Sequence, residues 1–188
     1  ATDDLGIDVL LAGVQKAMAL PPGLSVFLTS EAALARAEKT PDRGYYFDFL
    51  EFAKNGAKNN TPSTPPIALL YGLQHVVETI MSEGLEARHA RHAANNALVH
   101  KWLEANGFEH FAPEGYRSRT LTTIANNREI DVPGFVKEVR QKHNFLINGG
   151  YGKIKGKTFR ISNMGNETAE TMQELLAALD DVLPGFLS

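Results

Sequence analysis

Ile7-Asp8-Val9-Leu10-Leu11-Ala12-Gly13-Val14-Gln15-Lys16-Ala17-Met18-Ala19-Leu20-Pro21-Pro22-Gly23 opens as an apolar run, reaches a lysine and stops in a Pro-Pro-Gly turn. A second apolar run, Leu24 to Thr29, follows at once. Short apolar runs bounded by turn residues read as strands. Residues 7–13 and 24–29 are therefore expected as neighbouring buried strands, with Lys16 at the mouth of their sheet. Lysine is among the residues least often buried without a partner. Two readings of Lys16 stay open. It snorkels from a strand end, or it is an amine that loses its proton and forms Schiff bases with carbonyl groups.

The rest of the chain narrows the class. Its 188 residues suffice for one domain or one and a half. An apolar share of 43% and a charged share of 22% are those of an ordinary globular protein. The net charge of −3, with no basic block, gives no sign of a nucleic-acid partner. Absence of cysteine excludes a disulfide framework, a thiolate metal site and a cysteine nucleophile within these residues, and fits a cytoplasmic protein. No apolar run is long enough to span a bilayer, so no membrane partner is expected. The polar start Ala1-Thr2-Asp3-Asp4 does not resemble a signal peptide.

Along the chain, Ser30 is placed to cap a short helix, and Thr40 to Gly44 is turn chemistry. The aromatic run from Tyr45 to Ala53 reads as core, and Lys54 to Pro66 as an exposed loop. Thr64 is a good N-cap before Pro65, and Ile67, Leu70, Leu73, Val77, Ile80 and Met81 repeat at helical steps as far as Gly84. A second helical segment, about Leu85 to Asn106, carries Ala94, Ala97, Leu98, Val99 and Trp102 on one face and Arg88, His89, Arg91, His92 and Asn95 on a solvated face. His89 and His92 are three apart, but no third ligand accompanies them, so no metal site is expected. From residue 108 the order reads strand (119–126), helix (from Asp131), strand (145–147), strand (158–162), helix (167–182). That is an α/β layer with a small, mostly antiparallel sheet.

Three motifs carry a family resemblance. Ala12-Gly13-Val14-Gln15-Lys16 with Pro21-Pro22-Gly23, the Asn60–Ile67 loop with Thr64-Pro65, and Lys157-Thr158-Phe159-Arg160-Ile161-Ser162 together resemble the class V aminotransferases, pyridoxal-phosphate enzymes of the aspartate aminotransferase fold. The resemblance implies an α/β chain equal to the C-terminal half of such a fold. Residues 1–63 would end the large cofactor domain, 64–107 would connect, and 108–188 would form the small C-terminal α/β domain. It also implies that Lys16 holds pyridoxal 5'-phosphate as a Schiff base and moves the proton, and that Gln15 lines the cofactor site. Thr64 would reach the cofactor phosphate of the other subunit of a homodimer with shared active sites, and Arg160 would grip the substrate carboxylate. Physical chemistry leaves each of these open. A Thr-Pro-Pro start is common to ordinary helices, although a helix N-terminus suits phosphate. Arg160 in an apolar strand needs an anionic partner, either substrate or a structural carboxylate.

The expected reaction is transamination between a small L-amino acid, of alanine or serine type, and a 2-oxo acid such as glyoxylate or pyruvate. Arg117-Ser118-Arg119, with Lys153, Lys155 and Lys157 before Arg160, leaves phosphoserine aminotransferase as an alternative. A non-catalytic dimerisation module is a further one. Val14 and Ser162 depart from common family residues beside the key positions. The family's pyridine-nitrogen Asp, ring-stacking aromatic and phosphate loop would lie upstream, so a missing N-terminal half is expected as a partner. The isolated fragment is not expected to be a competent enzyme. Gly149 and Gly150 would let backbone approach substrate, or form a plain turn.

Overall fold

The structure is a computed structural model and describes residues 2–187. It forms two compact units, residues 1–79 and 80–188.

In the first unit, β1 (Val9–Gly13) pairs antiparallel with β2 (Ser25–Thr29), Leu11 opposite Phe27. The strands lie where the apolar runs put them, but they are not buried. Val9, Leu10 and Leu28 are exposed, and Leu11 is 68% exposed. A two-stranded ribbon needs another layer to cover its faces, and no third strand joins it among the described residues. Ser30 caps α1 (Glu31–Glu38) by accepting a bond from Ala33 N–H, as its position predicts. The aromatic run is corrected. Phe27 stacks on Phe49 and meets Phe52 edge-on, whereas Tyr45, Tyr46 and Phe47 are exposed, Phe47 at 81%. Phe49–Gly56 form α2, capped by Asp48, so the expected loop begins only after a helix. α3 (Ile67–Glu83) begins beyond Pro66. Thr64 is therefore not its N-cap, because Pro65 and Pro66 hold the chain extended for two more residues.

In the second unit, Gly84, with φ 83°, separates α3 from α4 (Leu85–Ala105). Next come β3 (Glu109–His110), β4 (Leu121–Ala125), α5 (Val132–His143), β5 (Asn148–Gly149), β6 (Thr158–Ser162) and α6 (Ala169–Val182). The sheet order is β3-β4-β6-β5, antiparallel throughout. Phe159, Ile161 and Ile124 turn toward Val99 and Leu103 of α4, Phe135 and Val139 of α5, and Met172 and Leu179 of α6, all in one core. Trp102 Nε1 donates to Asp180 Oδ1 at 2.7 Å and ties α4 to α6. The expected strand at 145–147 is displaced to Asn148–Gly149, because Ile147 instead drops into the core.

The expected solvated face of α4 is also corrected. Arg88, His92 and Asn95 are buried. Arg88 and the Asn95 amide nitrogen bond to Glu83, Gly165 O and Glu167 O inside the unit, whereas His92 Nδ1 and Asn95 Oδ1 are buried without a hydrogen-bond partner among the described residues.

Candidate active site

Lys16 stands in the loop between β1 and β2. The turn is closed by Ala19 N–H to Lys16 O (3.0 Å), Leu20 N–H to Val14 O (3.2 Å) and Val14 N–H to Leu24 O (3.1 Å). Val14 is fully buried and anchors the loop, while Gln15 and Lys16 project into the open. The Lys16 amine has no hydrogen bond or ion pair among the described residues. The Gln15 side chain folds back over Gly13, where a Cβ would collide with Gln15 Oε1. A small residue at 13 thus lets Gln15 lie beside the lysine. Thr64 is exposed, and its hydroxyl makes no hydrogen bond among the described residues.

The unit also has a largely apolar cleft of about 500 Å³ between α1 and the Arg43–Phe49 segment. Lys16, Gln15 and Thr64 do not line it.

In the second unit, Arg160 sits at the centre of β6. Its cross-strand neighbours are Thr123 on β4 and Asn148 on β5. Paired residues share a face, so these three form a polar row on the side opposite Phe159 and Ile161. Arg160 Nε donates to Gly149 O at 3.2 Å. Its guanidinium carbon lies 4.8 Å from the centroid of the Tyr151 ring. No carboxylate pairs with it among the described residues. One edge and one face of the guanidinium are thereby held, and the two terminal nitrogens stay free. That fork is the one that matches a carboxylate with two parallel bonds. Of the two partners left open for Arg160, a structural carboxylate is not found among the described residues.

Gly150 serves the chain's own backbone. A Cβ there would collide with Ile154 O and Thr158 Oγ1. The segment closes through Gly150 N–H to Thr158 O at 2.8 Å. This crowding, rather than contact with substrate, accounts for that glycine. Lys153, Lys155 and Lys157 are exposed along the same loop.

A second set of contacts holds the chain just after Arg160. Glu83 pairs with Arg88 Nη1 at 2.8 Å and with Arg91 Nε at 2.6 Å. Those arginines donate onward to Gly165 O (3.1 Å) and Glu167 O (2.6 Å), and Asn95 Nδ2 also reaches Glu167 O (2.9 Å). Buried Asn163 donates to His92 O and Arg119 O. Hydrogen bonding from Arg91, reinforced by Arg88, outweighs the upward push of burial and holds the Glu83 carboxyl down to about 2. Sequence reasoning missed Tyr151 and this clamp. The Gly-Gly-Tyr run after an apolar strand, and a buried-length helix bearing Arg at i and i+3, were the available signals.

Among the described residues, no group of three or more His, Asp or Glu side chains is placed to hold a metal. No helix there is long and apolar enough to cross a membrane.

The protein is α/β, with an exposed loop amine beside a strand end in the first unit and an arginine fork on an open sheet face in the second. The class-V aminotransferase family model matches residues 1–152, and the chain belongs to that family. It is 36% identical over 87% of its length to an uncharacterized aminotransferase of Methanocaldococcus jannaschii, covering 43% of that protein. It is 35% identical to the serine–glyoxylate aminotransferase of Arabidopsis thaliana over 96% of its length, covering 46% of that protein. The crystal structure of the alanine–glyoxylate aminotransferase from Nostoc sp. matches with a TM-score of 0.89 at 30% identity, over 97% of this chain and 49% of that one. A phosphoserine aminotransferase structure from Cytophaga hutchinsonii matches at 22% identity, a likeness of fold alone. The chain spans about half the length of the curated relatives it matches.

Proposed function

We propose that this chain is the part of a pyridoxal-phosphate-dependent aminotransferase that carries the cofactor lysine and the substrate arginine. The whole protein would move an amino group from a small L-amino acid, of alanine or serine type, to a 2-oxo acid such as glyoxylate or pyruvate. The observation that carries this reading is the uncommitted Lys16 amine, held at the tip of the β1–β2 loop within the family-matched segment. Serine–glyoxylate and alanine–glyoxylate aminotransferases among the relatives support the substrate class.

The residues present fit the cofactor. Lys16 would hold it covalently, Gln15 would lie against it, and the free Thr64 hydroxyl would meet its phosphate from the other subunit of a homodimer. In that scheme residues 1–63 belong to the cofactor domain, and a further N-terminal half completes the site. When bound, pyridoxal phosphate supplies the electron sink for bond breaking at the substrate Cα. Arg160 fixes the α-carboxylate by its two terminal nitrogens and so sets the orientation of Cα. Tyr151 covers one face of the guanidinium and keeps water from it. The Lys16 amine, once released, would take the Cα proton and deliver it to the cofactor's carbonyl-derived carbon.

The test is an absorbance spectrum of the full-length protein with pyridoxal phosphate, before and after borohydride, beside Lys16→Ala. A near-visible band that reduction fixes, and that the variant lacks, is expected. Alanine and serine should then discharge it faster than phosphoserine. No band in the full-length protein would leave a non-catalytic module. Preferred turnover of phosphoserine, lost when Lys153, Lys155 and Lys157 are changed to Ala, would move the substrate class to phosphoserine.

A further inference from the structure

On the α4 side of the second unit's sheet is a pocket of about 130 Å³ that the transamination scheme does not use. Its floor is Thr122 of β4 and His110 of β3. Its wall is His100 of α4, and Tyr116, Arg117 and Ser118 close it from the loop before β4. The placement follows from register. His110 pairs with Ile124, so it shares the core-facing side with Thr122. Asn96, one helical turn before His100, reaches Thr122 Oγ1 at 2.9 Å.

Four features of this pocket point to an anion. Its lining holds donors but no carboxylate. Arg117 commits only Nε, to Ala112 O at 3.3 Å, and its terminal nitrogens have no partner among the described residues. Thr122 is almost fully buried, and its oxygen accepts from Asn96, which leaves its proton free to donate. His110 Nε2 is buried without a partner, although buried polar nitrogens are nearly always bonded. The two imidazoles meet edge to face, with centroids 4.4 Å apart.

We propose that this pocket binds a small free oxyanion of phosphate or sulfate size, anchored by Arg117 and completed by the Thr122 hydroxyl and His110 Nε2. The volume admits such an ion and excludes a nucleotide or a cofactor. Burial first, then Arg117 and in His110 also the neighbouring His100, hold both histidines below their ordinary value, with Glu104 opposing. A bound anion joins Glu104 on the opposing side. It therefore favours the imidazolium form, and its affinity rises as the pH falls through the histidine range.

The probe is inorganic phosphate, titrated into the 188-residue chain at about pH 6.5 and at ionic strength held constant with chloride. The imidazole C–H resonances of His100 and His110 are followed by NMR. Saturable shifts of both, with a half-point of roughly 1 mM, are expected. In Arg117→Gln, a change on an exposed loop, the half-point should rise about tenfold or more, the loss of one charge-assisted hydrogen bond. No saturable shift, or the same half-point in the variant, overturns the site. Glycerol phosphate binding as tightly as the free ion would overturn the size argument. The readout is independent of pyridoxal phosphate, so its failure leaves the aminotransferase reading untouched, and the reverse also holds.

Discussion

The Arg160 guanidinium is held on one edge and one face by its own surroundings. Its Nε is spent on Gly149 O and its face on Tyr151, so only the terminal fork remains. Arg160→Lys keeps the charge but loses the fork. In the full-length protein we expect kcat/KM for the amino-acid substrate to fall roughly ten- to hundredfold, the worth of one charge-assisted bond. On the proposed role of Arg160, Tyr151 acts as a positioning residue through its ring face. Tyr151→Leu should raise KM several-fold with a smaller change in kcat, and Tyr151→Phe, which keeps the ring, should restore it. An equal effect of Phe and Leu would show that the ring face is irrelevant. Lys16 and Arg160 stand out in the sequence as cations in apolar runs, and only the resemblance to class V aminotransferases gives them expected roles. Tyr151 does not stand out, because nothing in a string of letters says that the residue two past a short strand folds back over its neighbour.

Among the elements, the strands and helices with strong local signals lie close to where their residues put them. Ser30 caps α1, and Thr168 forms a reciprocal capping box with Thr171 at the start of α6. Thr168→Ala should lower the unfolding free energy by about 1 kcal/mol, read from a denaturant midpoint at unchanged slope. Gly150→Ala should cost on the order of 3 kcal/mol, because its methyl group meets backbone oxygen that cannot yield. A melting temperature equal to that of the parent would contradict the crowding. Where sequence reasoning went astray, partners decided the outcome. Periodicity assigned Arg88, His92 and Asn95 to water, whereas Glu83, Gly165 and Glu167 lie within reach of this stretch of α4. The aromatic run looked like core, but only Phe49 and Phe52 have Phe27 to pack on. Thr64 had the right chemistry for a cap, and two prolines moved the helix away from it.

For the whole chain, charge sets the response to acid. His92, His100 and His110 are held below their ordinary value of 6.5, chiefly by burial. Below that pH the unfolded chain takes up protons that the folded chain refuses, so stability present above about 6.5 declines as the pH falls. Glu83 adds a second stage. Its carboxyl is held down to about 2 against an ordinary 4.5, so its contribution is full above 4.5 and is lost as the pH drops through 2. Urea midpoints measured from pH 7 to pH 2 should decline in these two steps. Glu83→Gln should remove the lower step and destabilise the second unit by on the order of 3 kcal/mol, since it takes away the carboxylate that pairs with buried Arg88 and with Arg91. A single-step acid profile identical in parent and variant would refute the account.

The β1–β2 ribbon has a practical consequence for handling this chain. Leu11, Leu28, Val9 and Leu10 present oil to water along a hairpin whose outer backbone groups are unpaired among the described residues. Such a rim is adhesive, since a second ribbon can zip onto it through backbone bonds while the leucines seal the seam. Bench concentration, rather than heat, therefore sets the working limit of the 188-residue chain. Light scattering should rise steeply with concentration, and Leu11→Lys, which places a charge on that rim, should raise the ceiling without shifting the melting temperature of the second unit.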